Sequence, residues 1–337
     1  MTTETELDIG QKCSLFSRVS GDDPIGQARF PEHQVFIEAR LPWVFNFAES
    51  EHVSPGVADV FKDTAAAKLD VALLGMVPDG DYTAAGKRRV FVFSRPVEGL
   101  FSRFEKLDYL VPDDRVAGLL RALFLSEGDV TSFAAYRQES DVVREMFVCT
   151  HGARDACCAT FGYPVYDKLR SDYAYRDDTN IRVWRTSHTG GHRFAPTVLD
   201  YPVGRYWARL DLDVLDAAVY HTGDIQDMHF RTRGWSGLGR MEQVVDREIL
   251  LQKGWKWADY LKRGLTSAEG TTYETPIWLD KIEEAEVRIE FASPDGKDTG
   301  TYVATLVHDG EAPFGGCGKP LKLERQFKVT SLERLAR

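Results

Sequence analysis

Two short loops, each following a strand-like run, carry Cys149, Cys157 and Cys158, then His188 and His192. No other feature limits the fold of this chain as tightly. Glu145-Met-Phe-Val-Cys-Thr reads as a strand running into the loop His151-Gly-Ala-Arg-Asp155. Asp155 is placed to cap a helix beginning Ala156-Cys-Cys-Ala-Thr, which Gly162 and Pro164 are expected to interrupt before it resumes at Val165–Tyr173. Asn180-Ile-Arg-Val-Trp-Arg is a second strand, followed by the loop Thr186-Ser-His-Thr-Gly-Gly-His192. Val198–Tyr201 and Arg205–Leu210 alternate about Pro202-Val-Gly204, a hairpin signal, and Leu212–Tyr220 looks helical. The order β-α-β-β-α is that of a small thioredoxin-like unit.

Eight residues separate Cys149 from Cys158, twenty-nine lie between Cys158 and His188, and three separate the histidines. Histidines at i and i+4 on a helix would suggest a zinc-protease site. Thr189-Gly190-Gly191 stands between them here, and consecutive glycines disfavour helix, so the pair belongs on a loop. Structural zinc sites usually space their cysteines two to four residues apart, which this gap exceeds. Two thiolates and two imidazoles suit either zinc or a [2Fe–2S] cluster, and the wide loops favour the larger guest. Taken singly, each of these residues reads as a buried thiol or a hydrogen-bonded imidazole. It is their grouping that points to a centre. Cys157 is expected to be a small filler beside its neighbour, because adjacent helical residues point about 100° apart. His151 reads equally as a donor to the ligands or as a solvated loop residue. Cys317, among glycines, is read as an incidental loop thiol and Cys13 as packing.

The runs Cys149-Thr-His-Gly-Ala-Arg-Asp-Ala-Cys-Cys-Ala and His188-Thr-Gly-Gly-His-Arg-Phe-Ala-Pro resemble the sucrase/ferredoxin-like family. Cys13-Ser-Leu-Phe-Ser-Arg and Arg233-Gly-Trp-Ser-Gly-Leu extend the resemblance towards both ends. It implies a thioredoxin-like ferredoxin unit with one [2Fe–2S] cluster, held by Cys149, Cys158, His188 and His192, and one-electron transfer as its work. A structural or sensory zinc protein with the same four ligands is the alternative. A thiol oxidoreductase using Cys157 and Cys158 is a further one, disfavoured because adjacent cysteines close a strained ring. No carboxylate pair stands out as glycosidase-like, and no Gly-x-Gly-x-x-Gly loop follows a strand to suggest a nicotinamide or flavin site.

The rest of the chain, 337 residues in all, exceeds what one core organises, so further units are expected. Residues 1–137 read as an N-terminal α/β region: a strand at 33–39, apolar helical spacing from Val57 to Leu74, and a strand at 89–94. An amphipathic helix with Val116, Leu119, Leu120, Leu123 and Phe124 follows, capped by Asp113 or Asp114. Residues 138–225 form the ferredoxin unit. Residues 226–337 form a C-terminal α+β region, a helix at Met241–Tyr260 and then strands at 287–291, 302–307 and 321–329. The fold class expected is α/β.

Lys plus Arg is 42 against 52 Asp plus Glu, a net charge of −10, which argues against nucleic-acid binding. The longest strongly apolar run, Val71–Val77, falls far short of the ~20 residues of a membrane helix. Residues 1–8 lack the basic and apolar segments of a secretory leader. With an odd number of cysteines, three of them within ten positions, the expected compartment is the cytoplasm. Against this acidic background, Arg182, Arg185, Arg193, Arg205 and Arg209 face one acid, Asp200, between residues 181 and 209. That surplus is read as an electropositive rim that steers an acidic redox partner.

Overall fold

The computed structural model describes residues 12–335 apart from Tyr175 and Asp280; the leader-free reading of residues 1–8 lies outside them. In chain order the elements are α1 (Cys13–Val19), β1 (His33–Glu38), α2 (Val57–Ala66), β2 (Val71–Met76), β3 (Lys87–Ser94), β4 (Glu105–Pro112) and α3 (Val116–Phe124). Next come β5 (Arg144–Cys149), α4 (Ala156–Asp172), β6 (Ile181–Thr186), β7 (Val198–Tyr201), β8 (Arg205–Trp207), α5 (Leu215–Tyr220), β9 (Thr232–Trp235) and α6 (Arg240–Lys253). The last strands are β10 (Leu261–Ala268), β11 (Thr271–Tyr273), β12 (Glu284–Ala292), β13 (Thr299–Phe314) and β14 (Lys322–Leu335). Helices and sheets are mixed along the chain, an α/β fold.

Two compact units are built from these elements. One comprises Pro31–Arg95 and Phe104–Gly190. The other comprises the described residues up to Phe30, Pro96–Arg103 and the described residues from Gly191 on.

In the first unit six strands lie in the order β4-β3-β1-β2-β6-β5. β1 and β2 are parallel, as are β5 and β6, while β3 runs antiparallel to both its neighbours. Val35, Ile37, Val90 and Val92 turn one side chain in two to a core shared with Val57 and Val60 of α2 and Leu119 and Leu120 of α3. Phe36, Phe91 and Phe93, at the alternate positions of β1 and β3, form an aromatic cluster with Phe147 of β5, and Phe36 and Phe147 are parallel at 3.6 Å between centroids. β2 and β6 meet at their ends, where Met76 pairs with Thr186. There the Gly75 carbonyl accepts from Thr186 Oγ1 at 2.7 Å and from the Ser187 amide at 2.8 Å.

Three expectations change in this unit. The helical spacing from Val57 stops at Ala66, and Val71–Leu74 is strand. Lys68, with φ 58°, turns the chain so that these apolar residues can pair with β1. Asp113 does not cap α3. Its carboxylate instead accepts from Arg88 Nε and Ser54 Oγ, both at 2.7 Å. Gly162 and Pro164 do not break α4, which runs through both.

The second unit contains an antiparallel ribbon β7-β8-β9 and an antiparallel sheet in the order β11-β10-β12-β13-β14. α6 ends sooner than Tyr260, at Gly254, whose φ of 75° a helix cannot continue. Val244, Val245 and Ile249 of α6 are buried, as are Val287, Ile289 and Phe291 of β12. Lys262 of β10 is buried too, and its Nζ donates to Asp246 Oδ1 at 3.1 Å.

Candidate metal centre

Parallel strands place their carboxyl ends side by side, and loops leaving such ends are where α/β proteins gather chemistry. β5 ends on Cys149, which is level with Thr186, the last residue of β6. Two residues later comes His188. The connection from β5 turns into α4 within six residues because Asp155 caps it: its carboxylate accepts the Cys157 amide at 2.9 Å. Cys158 therefore sits in the first turn of α4, next to the end of β5.

Close approach of helix and strand depends on Gly162. A Cβ built there would lie 2.0 Å from the Cys149 carbonyl oxygen. Gly162 is one turn after Cys158, so α4 can lean on the strand end only where it has no side chain. Gly162, expected from its residue type to interrupt the helix, instead lets the helix reach the strand end.

The result is one group of donors. Cys149 Sγ, Cys158 Sγ and a ring nitrogen of His188 lie within 4.8 Å of one another. His188 Nδ1 is 3.5 Å from Cys158 Sγ and 4.0 Å from Cys149 Sγ. Both thiols are about 1% exposed and His188 is half-buried. A hydrogen bond from Cys158 holds the Cys149 thiol well below the ordinary thiol range, against the opposing pull of burial. His188 and the backbone amide of His151 add to the lowering. A thiolate is the form that ligates a metal.

His151 is neither solvated nor a donor to the other three through its ring. It is buried, and its Nε2–H donates to the Val44 carbonyl at 2.9 Å. That bond fixes the tautomer and leaves Nδ1 buried and, among the described residues, without a hydrogen-bond partner. Burial lowers its pKa.

His192 belongs to the second unit, where its Nδ1 lies 3.3 Å from Cys13 Sγ. Gly190 and Gly191 precede it with φ of 76° and 64°, left-handed backbone that keeps the two histidines off a helix, as the loop expected there requires. Cys13 is buried as expected but is more than packing, since it contacts this imidazole and its amide donates to Cys317 Sγ at 3.5 Å. Of the four expected ligands, then, three converge in one unit, and the fourth keeps company with Cys13.

The sucrase/ferredoxin-like family model matches residues 24–234, which include every one of these loops apart from those of Cys13 and Cys317. The chain belongs to the sucrase/ferredoxin-like family. No curated protein and no solved structure matches it. Membership of the sucrase/ferredoxin-like family is thus shown over most of the chain, and within it Cys149, Cys158 and His188 form a group of side chains that could hold a metal ion. Among the described residues no helix is long and apolar enough to cross a membrane.

The arginine surplus is mostly internal. Arg182 pairs with Glu145 and Asp108, and Arg205 lies 3.5 Å from Asp246. Arg193 pairs with Asp22 at 2.8 Å. Arg209 donates to Ser17 and to the Asp22 carbonyl. These four do not form a rim. Arg185 differs: it is half-buried, bonded to Thr150 Oγ1 and set over the Tyr163 ring.

Proposed function

We propose that this protein transfers single electrons through a [2Fe–2S] cluster held by Cys149, Cys158, His188 and His192. The observation that supports the reading is the convergence of Cys149, Cys158 and His188, with Cys149 disposed to ionise. Thiolates and imidazoles are the donor types such a cluster takes when histidines replace one cysteine pair. When bound, the cluster supplies a one-electron redox couple. The chain's own part is to hold the ligands and shield them. β5 and α4 fix the two thiols, the His151 amide donates towards Cys149, and burial of both sulfurs keeps bulk water from them. The cytoplasm, and a redox partner that carries acidic groups, belong to the same proposal.

Zinc at the same residues is the second reading, and two distances favour it. Bonds of ~2.0–2.3 Å in a tetrahedron put ligand atoms about 3.5–4 Å apart, and His188 Nδ1 stands at 3.5 and 4.0 Å from the two sulfurs. Anaerobic purification with iron, sulfide and zinc measured together decides between the two. About two irons and two sulfides per chain, with visible absorption, is the expected result. One zinc and no sulfide overturns the cluster.

A further inference from the structure

An arginine is laid on an aromatic ring at two places bonded to the loop that leads from Cys149 into α4, one of them in the loop and the other in β6. Arg154, itself exposed, lies 3.8 Å from the centroid of Phe45, which is 59% exposed. Arg185 lies 5.2 Å from the centroid of Tyr163, which is 48% exposed. Both pairs are tied to the loop by hydrogen bonds. His151 Nε2–H holds the Val44 carbonyl, next to Phe45, and Arg185 Nε donates to Thr150 Oγ1 at 3.4 Å. All of these residues lie in the first unit.

Among the described residues neither Arg154 nor Arg185 has a carboxylate partner. In a chain of net charge −10 that is a specific arrangement, because carboxylates to pair with them are plentiful. Exposed aromatic rings and arginines are also the residue types enriched at the centres of protein interfaces, where a ring loses little entropy on burial and a guanidinium can pair in two places. The two cations state the sign of whatever covers them.

We propose that this surface docks an acidic redox protein, an inference that rests on the electron-transfer reading of the centre. Phe45 and Tyr163 supply the apolar contact, Arg154 and Arg185 meet the partner's carboxylates, and the partner is held one loop away from the Cys149 sulfur. Redox encounters are typically small, below about 1,200 Å² in total, so two such pairs can dominate one.

Calorimetric binding tests it, with an acidic plant-type ferredoxin as the probe, basic cytochrome c as the control, and the chain as purified. The wild type should bind the ferredoxin at low salt and more weakly at 0.15 M, where exposed charges are screened beyond ~8 Å. Arg154→Glu, Arg185→Glu and Phe45→Ser should each weaken that binding tenfold or more, and the two charge reversals should improve binding of cytochrome c. Arg154→Gln keeps the stem over Phe45 and reads the charge alone should Arg154→Glu disturb the loop; it should weaken binding by a smaller factor. Ferredoxin binding that is absent from the wild type, or unchanged in every variant, overturns the docking surface. Iron and sulfide are assayed on the same samples. A chain without them that still binds ferredoxin through these residues overturns the electron-transfer reading and leaves the surface standing.

Discussion

Glu145 and Arg182 stand level with each other on the parallel strands β5 and β6, four residues before Cys149 and six before His188. The Glu145 carboxylate accepts from Arg182, from Trp184 Nε1 two residues further along β6, and from Lys106 Nζ of β4, the last two at 2.7 Å. Arg182 also reaches Asp108, which pairs with Arg89. All of this is buried except Arg182, whose side chain is partly exposed. A charge left alone there is costly, and a slip of one residue between β5 and β6 would break both of the bonds that β6 gives Glu145. The network therefore fixes the register that brings Cys149 level with Thr186. Glu145→Leu should lower the free energy of unfolding by about 3–5 kcal/mol, the usual cost of orphaning one side of a buried pair. Urea unfolding measures it, and a loss under 1 kcal/mol would show that the network is not holding the strands.

Gly162→Ala gives opposite expectations from two principles. On helix propensity alone, alanine for glycine inside α4 gains about 1 kcal/mol. The new Cβ, however, would meet the Cys149 carbonyl oxygen at 2.0 Å, and backbone cannot step aside as a flexible side chain can. We expect a net loss of about 1–3 kcal/mol, as in overpacked cores, together with reduced metal content as α4 is pushed from the strand end. Thermal unfolding with metal analysis checks both, and a stabilised variant with full metal would show that the helix moves freely.

What the sequence made legible here was local. The cap at Asp155, strands β3, β5 and β6, the β7–β8 hairpin and the looped histidine pair each follow from a few neighbouring residues. Elements whose character comes from distant partners were not. β4 and β10 carry Lys106, Asp108 and Lys262, which read as surface charges until Glu145, Arg89 and Asp246 are found opposite them. Val71–Leu74 fits helix or strand by apolarity, and β1 alongside decides. Pro164 argues against a continuous helix, yet packing carries α4 through it. Cys13, 179 positions from His192, gave no sign of meeting it.

Lys262 sets a pH dependence in the second unit. Burial lowers its pKa to about 8, although Asp246 pulls the other way. The unfolded chain holds that proton up to its ordinary value of ~10.4. Between pH 8 and that value the unfolded state binds more protons than the folded one, so stability rises with pH across the window. Below pH 8 the cost of burying the charge is present in full. Lys262→Met removes the effect. The stability of wild type relative to this variant should increase from pH 8 to 10, measured by urea unfolding at each pH, and a constant difference would mean that Lys262 titrates as it does in water.

The vicinal cysteines give the sharpest test of the centre. Cys158 Sγ lies 3.5 Å from His188 Nδ1 and belongs to the three-donor group with Cys149; Cys157, one position earlier on the same helical turn, does not belong to it. Cys149→Ser, Cys158→Ser and His188→Ala should each abolish stoichiometric metal binding, whether the metal is iron or zinc, and should lower stability as well, because the free energy of binding at such a site is also free energy of folding. Cys157→Ser should keep its metal, since the group it loses is a buried thiol beside the ligand. If Cys157→Ser emptied the site and Cys158→Ser did not, α4 would have to present its other face to β5. That rotation of about 100° would carry Gly162 away from the Cys149 carbonyl. Gly162→Ala would then be harmless, so the two experiments must agree on which face of the helix meets the strand.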